Sequence, residues 1–381
     1  MINVLYVTYA SENFDGATYS LMDLIKSVQK HVNPIVMLRS YGCVYEYFTK
    51  NGIECIVCDF QEDIVHIPKN IYQFLKYAYR LIPNLLQYKR RNRDCVDYIY
   101  NQLRGREIEI VHTNNTVMSV GYNIAKKLGA RHIWHLRGFM DLDFGWMPLK
   151  GWRYHKRTIA KSDAIIGITP TVLKHFISQK ANNTYTIFNG VRSRNNTCYV
   201  YPKEKYFLFC SGFVTKKKGC EFAIHSFAKS ELYSQGYRLR IIGEVNKTYK
   251  RYLTSLIESL SITQYVDFIG RVNDVKEHMK HATAFLMCSE FEGLGRVSVE
   301  AMFNGCLVLG RNSGGTKDFI FDNETGFLFN NINECAQAMK NATFHDNHEI
   351  IHKAQIYACT NFSTEDYGGK ILNVYKQVLF K

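Results

Sequence analysis

The stretch Ser289-Glu-Phe-Glu-Gly-Leu-Gly-Arg-Val-Ser-Val-Glu-Ala-Met302 gathers two carboxylates and two glycines at the mouth of an apolar helical run. It follows the apolar segment Ala284–Cys288, turns at Gly293 and Gly295, and enters a helix near Val297. A strand, a glycine turn and a helix N-terminus together offer free backbone N–H groups and a positive dipole end to an anion. On one continuous helix Glu292 and Glu300 would lie about 12 Å apart along the axis. Glu292 therefore belongs on the turn and Glu300 in the first helical turns. One carboxylate can then meet a sugar while the other accepts hydrogen bonds from ribose hydroxyls. Acid enrichment in a first turn also stabilises any helix, so the pair alone leaves both readings open.

A second candidate is His135, in Ile133-Trp-His-Leu-Arg137, at the end of an expected strand, where ligands collect in parallel sheets. His112, in Ile110-Val-His-Thr-Asn-Asn115, repeats the argument for an acceptor-side contact. Gly16, in the loop after the first strand, permits close backbone approach to a ligand. Its neighbour Asp15 reads equally as a turn residue or as a contact to acceptor hydroxyls.

Positioning these groups requires strands that alternate with helices, the pattern of parallel α/β architecture. The first half reads as strands at Ile2–Tyr9, Asn33–Leu38, Glu54–Asp59, Ile108–Thr113, His132–Leu136, Ala164–Thr169 and Thr184–Phe188, with helices such as Thr18–Lys30 and Met118–Leu128. A turn at Asn189–Thr197 marks a boundary, and the pattern begins again. Strands are expected at Tyr206–Ser211, Arg238–Ile242, Val266–Ile269, Ala284–Cys288, Cys306–Gly310 and Gly326–Phe329. Helices are expected at Cys220–Lys229, Lys247–Leu260, Val275–Lys280 and Val297–Phe303, and the last helix, Glu365–Phe380, is expected to cross back onto the first domain. The expected division is 1–191, 192–362 and this final helix from 363.

Length and composition agree with two packed cores: 381 residues, 46% hydrophobic and 22% charged. The net charge is +14, of which +9 falls on residues 1–190. Such a surface attracts nucleic acid, anionic lipid or phosphorylated ligands alike. A nucleic-acid-binding module gives the Glu292/Glu300 pair no role, and a Rossmann dehydrogenase lacks the G-x-G-x-x-G after the first strand. The 11 cysteines are scattered through apolar runs, and the C-x-x-C at Cys55 and Cys58 has no second pair to complete a zinc site. With no signal-peptide pattern and no run long enough to span a bilayer, the expectation is a cytoplasmic protein whose membrane contact is peripheral, at the inner face. The region carrying Tyr72, Phe74, Leu75, Tyr79, Ile82 and Leu85, followed by Lys89-Arg-Arg91 and Arg93, mixes aromatic and basic residues as surfaces resting on anionic lipid do. A solvated helix face is the plainer reading.

The Ser289–Met302 stretch resembles the E-x7-E signature of the retaining glycosyltransferases of family 4. Other marks of that family follow in order over residues 1–330: Asp15-Gly-Ala17, Ile133–Arg137, Ile187-Phe-Asn-Gly-Val191, Lys218-Gly219, Phe268-Ile-Gly-Arg271 and Ser313-Gly-Gly315. The resemblance implies a GT-B fold, two Rossmann-like doubly wound domains facing across a cleft, with the acceptor on the first and a nucleotide-sugar donor on the second. It implies no cofactor and no required metal, a product that keeps the donor's anomeric configuration, and a glycan or lipid-linked acceptor in surface polysaccharide or glycoconjugate synthesis. By the same resemblance Glu300 binds the donor ribose, Glu292 the transferred sugar, the backbone of Gly293, Leu294 and Gly295 the sugar or phosphate, and Lys218 the diphosphate. Arg271 belongs to the base-pocket turn, Gly16 to the first loop, and His135 faces the transferred sugar. Two departures stand out: Asp15 replaces the first glycine of the usual pair, and Gly212-Phe213-Val214 stands where a phosphate-binding arginine is expected. Lys217 or Lys216 is expected to supply part of that charge. An epimerase or phosphorylase on the same fold is the related alternative.

Overall fold

Seven apolar runs of the N-terminal half pair as one parallel sheet, in spatial order Glu54–Val57, Val32–Leu38, Ile2–Val7, Ile110–Thr113, Arg131–Leu136, Ala164–Gly167 and Thr184–Thr186. Six more form a second parallel sheet, ordered Val266–Gly270, Arg238–Glu244, Glu204–Phe213, Ala282–Met287, Leu307–Arg311 and Phe327–Phe329. Numbered by chain order within each sheet, both run 3-2-1-4-5-6, and the first adds a seventh strand. This is the doubly wound order, whose direction reverses between strands 1 and 4 and leaves a crevice at their carboxyl ends. Parallel sheets are covered on both faces, which explains why Val4–Val7 and Ala282–Met287 are buried at every position rather than at alternate ones.

The computed structural model describes residues 1–9, 12, 14–177 and 182–380. It divides into a unit of Met1–Gly190 with Thr364–Lys381 and a unit of Val191–Ser363. The C-terminal helix Thr364–Leu379 buries Tyr367, Ile371, Val374, Tyr375 and Val378, the spacing of one helical face. It packs against the helix Gly16–Val28, where Gly368 lies so close that a Cβ would come within 2.7 Å of Ser27 Oγ.

Two features of the first unit differ from the sequence reading. Residues 71–103 form a single helix with Pro83 inside it, and its buried residues, Tyr88, Asn92, Cys95, Ile99 and Leu103, all lie in the second half. A short antiparallel pair, Ile64–His66 with Trp146–Pro148, also adds a ribbon that three-residue runs do not announce. Among the described residues no helix is long and apolar enough to cross a membrane.

Candidate functional site

In the second unit the loop after strand 1 and the loop after strand 4 meet at the switch point. The strand Glu204–Phe213 leads into a turn of 3-10 helix, Lys216–Lys218, and then into the helix Cys220–Ser230. Gly219 sits between them at φ 77°, where a Cβ would lie 2.3 Å from the Cys288 carbonyl oxygen. Only glycine permits that approach, and it seats Lys218 beside the end of Ala282–Met287. Lys218 Nζ then donates to Glu292 Oε2 at 2.8 Å, with the two side chains 39% and 20% exposed.

Glu292 is fixed from its other side by the loop after strand 5. Gly315 N donates to the Glu292 carbonyl at 2.7 Å, and Ser313 Oγ bonds to the Glu290 carbonyl. Gly314, at φ 56°, brings its Cα so near that a Cβ would stand 2.8 Å from both Glu292 N and O. The carboxylate thus projects from a turn held between two small-residue loops. Gly295, at φ 71°, ends that turn and opens the helix Arg296–Phe303. Glu300 lies on this helix beside Cys210 of strand 1. Burial first, and then the Glu300 charge, push the Cys210 thiol up to about 12. A cation, a helix N-terminus and two carboxylates on one turn and the helix it opens are groups that can hold a diphosphate and accept bonds from hydroxyls.

In the first unit the strand ends carry a buried polar chain. His135 Nδ1 lies 3.1 Å from His112 Nε2, His112 Nδ1 lies 2.8 Å from Tyr375 Oη, and Tyr375 Oη donates to Tyr6 Oη at 3.1 Å. All four residues are buried, and among the described residues His135 Nε2 has no hydrogen-bond partner. Burial, and then the Arg137 cation, hold both imidazoles well below the usual histidine range, so both are neutral. The buried Arg137 guanidinium donates to Asn114 Oδ1 from Nε at 3.0 Å and from Nη2 at 2.6 Å, to Tyr367 Oη at 3.1 Å, and to Asn189 Oδ1. Every one of these acceptors is neutral.

Lys218 meets Glu292 at the turn that carries the buried Gly293, Leu294 and Gly295, and Glu300 lies on the helix that this turn opens. Lys216 and Lys217 are exposed on the turn of Lys218, and Arg271 is exposed just beyond the strand Val266–Gly270. Gly16 opens the helix Gly16–Val28, and among the described residues nothing lies within 4 Å of a Cβ built on it. Asp15 caps that helix, accepting from Thr18 N and Thr18 Oγ1 at 2.7 Å and from the Tyr9 hydroxyl. His112 has both ring nitrogens engaged, which argues against an acceptor contact, and neither it nor His135 has exposed surface. Tyr375, Tyr367 and Asn114 were not singled out by sequence, because no local pattern links a C-terminal helix to strand ends far away in the chain.

Residues 198–360 match the family model described as Glycosyl transferases group 1. An uncharacterized glycosyltransferase of Methanocaldococcus jannaschii is 24% identical over 62% of this chain and 66% of its own length. The poly(ribitol-phosphate) alpha-N-acetylglucosaminyltransferase of Staphylococcus aureus is 22% identical over 77% of this chain and 61% of its own. An undecaprenol-linked-glycan alpha-1,4-N-acetyl-D-galactosaminyltransferase of Campylobacter jejuni is 35% identical over 28% of this chain and 29% of its own. The chain thus spans 66% of the first of these relatives and less of the others. Among solved structures, Anabaena HepE in complex with UDP superposes with a TM-score of 0.78 at 17% identity, covering 99% of this chain and 100% of that one. A Rickettsia africae glycosyltransferase does so with a TM-score of 0.76 at 18% identity, covering 99% and 98%. The chain has the fold of the GT-B glycosyltransferases, and its second unit carries the match to Glycosyl transferases group 1.

Proposed function

We propose that this chain is a retaining glycosyltransferase that moves a sugar from a nucleoside-diphosphate donor to a glycan or lipid-linked acceptor, in polysaccharide or glycoconjugate synthesis. The observation that carries this reading is the Lys218–Glu292 pair at the switch point of the second unit, with Glu300 on the helix that follows. Anabaena HepE was solved with UDP and with UDP-glucose, which favours a UDP-sugar as donor. In this reading the diphosphate lies against Lys218 and the N-terminus of Arg296–Phe303, Glu300 accepts the ribose hydroxyls, and Glu292 accepts from the transferred sugar. The bond from the anomeric carbon to the phosphate oxygen breaks, and the acceptor oxygen bonds to that carbon on the same face. The acceptor proton passes to the departing phosphate. Lysine and helix-dipole charge stabilise the leaving group in place of a divalent cation, so turnover persists in excess EDTA.

The same reading places a lipid-linked acceptor within reach through the helix Ile71–Leu103. Ile71, Leu75, Tyr79, Ile82 and Leu86 are 60–85% exposed and fall within an arc of about 80° on a helical wheel. Lys89 and Arg93 continue that arc. An apolar stripe ending in cations suits the inner face of an anionic membrane.

A panel of nucleotide sugars, assayed for nucleoside-diphosphate release and for the anomeric configuration of the product, tests the reading. Release from one donor with retention is expected. Inversion, or an epimerised nucleotide sugar with no net transfer, would contradict it.

A further inference from the structure

Asp63 and His155 are buried polar side chains of the first unit that sugar transfer gives no role. Asp63 is 7% exposed and His155 2%. Among the described residues neither Asp63 Oδ1 nor His155 Nε2 has a hydrogen-bond partner, so the two atoms do not bond to each other either. Both residues nevertheless line one cavity of about 10 Å³ beside the helix Trp152–Ile159.

The surroundings fix both atoms as acceptors. The Asp63 backbone is held on two sides, its N–H donating to the Val117 carbonyl at 2.8 Å and its carbonyl accepting from Leu149 N at 2.6 Å. The Tyr88 hydroxyl and Ser119 donate to its carboxylate, and Oδ1 is the oxygen left over. Burial raises this carboxyl only to about 6, so at pH 7.5 it is ionised and Oδ1 can only accept. His155 donates to the Thr116 carbonyl, and since Nε2 has no partner the donor is Nδ1–H. Burial holds the imidazole down at about 4, so the ring is neutral, has one N–H, and carries a bare lone pair on Nε2.

Two buried acceptors on one small cavity call for a molecule with two protons and little bulk, because an unmet buried acceptor destabilises the fold. A water needs roughly 10–15 Å³ of room and two to four polar partners. The cavity reaches the lower limit of that volume, which admits one water and nothing larger. Lys150 lines it too, its Nζ lying 4.2 Å from the Tyr88 ring centroid and 4.8 Å from that of Tyr154, and brings donors for the water oxygen.

We infer that one internal water binds in this cavity, giving one proton to Asp63 Oδ1 and the other to His155 Nε2. The water joins the segment before the ribbon strand Ile64–His66 to the helix Trp152–Ile159. Through the His155–Thr116 bond it also braces the loop after strand 4 of the first sheet. That loop carries Asn114, which holds Arg137, and Asn115, whose carbonyl accepts from Trp134 Nε1 at 2.8 Å. The water is thus a structural ligand of the strand-end loops, and its binding does not depend on the glycosyl-transfer reading.

A crystal structure of the full-length chain at pH 7.5, at a resolution that shows ordered waters, tests the inference. One water within about 3.2 Å of both Asp63 Oδ1 and His155 Nε2 is expected. A water on only one of the two atoms, a direct Asp63–His155 bond, or a dry cavity overturns it. A double-mutant cycle with Asp63→Leu and His155→Phe measures the same bridge in solution. Each single change leaves the water one partner short, so the second change costs less than the first. The double variant should therefore be about fivefold more stable, in its unfolding equilibrium constant, than the product of the single effects, the worth of one net hydrogen bond. His155 is neutral at this pH, so charge attraction does not supply that coupling. Single effects that multiply to within about twofold overturn the inference, and should a variant fail to fold, the wild-type crystal structure decides alone.

Discussion

Replacing Lys218 by alanine separates a ligand contact from a structural ion pair. In the unliganded chain Lys218 Nζ sits 2.8 Å from Glu292 Oε2, but the lysine side chain is 39% exposed. A pair that open to water contributes about 0–1 kcal/mol to stability. At roughly 2–4 °C per kcal/mol for a domain of this size, the melting temperature should fall by about 4 °C at most. A cation bonded to a diphosphate in a desolvated complex is worth about 2–5 kcal/mol when removed. At 1.4 kcal/mol per decade, that is roughly a thirtyfold to several-thousandfold loss in nucleoside-diphosphate affinity. Calorimetric titration and a thermal melt on the same preparation measure both quantities. Lys217→Ala, on an exposed side chain of the same turn, should lose less than about fivefold, the scale of a surface charge. Glu292→Gln provides the counter-test: it releases Lys218 from its partner, so the diphosphate alone should bind at least as well as in wild type while sugar transfer falls. Wild-type affinity in a folded Lys218→Ala protein, or a melting temperature lowered by far more than 4 °C with affinity unchanged, would refute the phosphate assignment and leave Lys218 as a brace for Glu292.

Three other outcomes are expected. Glu300→Ala should raise KM for the donor more than Glu292→Ala, whose main loss should be in kcat, because ribose binding is uniform and the sugar contact strengthens in the transition state; steady-state kinetics in the reverse order would exchange the two roles. Asp63 is buried, its Oδ1 has no hydrogen-bond partner among the described residues, and burial raises its carboxyl to about 6. Its folded form therefore favours the proton, and stability is lost as pH rises from about 4 to 6, by up to about 3 kcal/mol. Asp63→Asn should flatten that slope and melt higher at pH 7.5, and an unchanged pH profile would contradict the burial argument. Neutralising Lys89, Arg90 and Arg93 should weaken binding to anionic vesicles at low salt by about 1 kcal/mol per charge, whereas equal binding before and after would make the exposed stripe a solvated face. Arg91 is left out of that set, against the sequence reading, because its side chain is only 40% exposed, against 81% for Arg90 and 72% for Arg93.

Parallel strands were legible because burial on both faces leaves continuous apolar runs, such as Ala284–Cys288, bounded by glycine or polar turns. The Ser289–Met302 stretch was legible for the same reason, since strand, glycine turn and helix follow one another locally. Length and pairing over distance were not. Pro83 reads as a breaker, yet it lies in the solvated half of the helix Ile71–Leu103, where few packed neighbours oppose a distortion. The Lys218–Glu292 bond joins residues 74 apart, and the His112–Tyr375 bond joins residues 263 apart. Neither leaves a mark in the sequence around it.

A crystal structure of the chain soaked with a nucleoside diphosphate bears most directly on the donor site. The ribose hydroxyls should lie within hydrogen-bond distance of the Glu300 carboxylate, with the diphosphate against Lys218 and the turn Gly293–Gly295. A nucleotide bound away from the Glu300 helix, or none bound at millimolar concentration, would contradict the account.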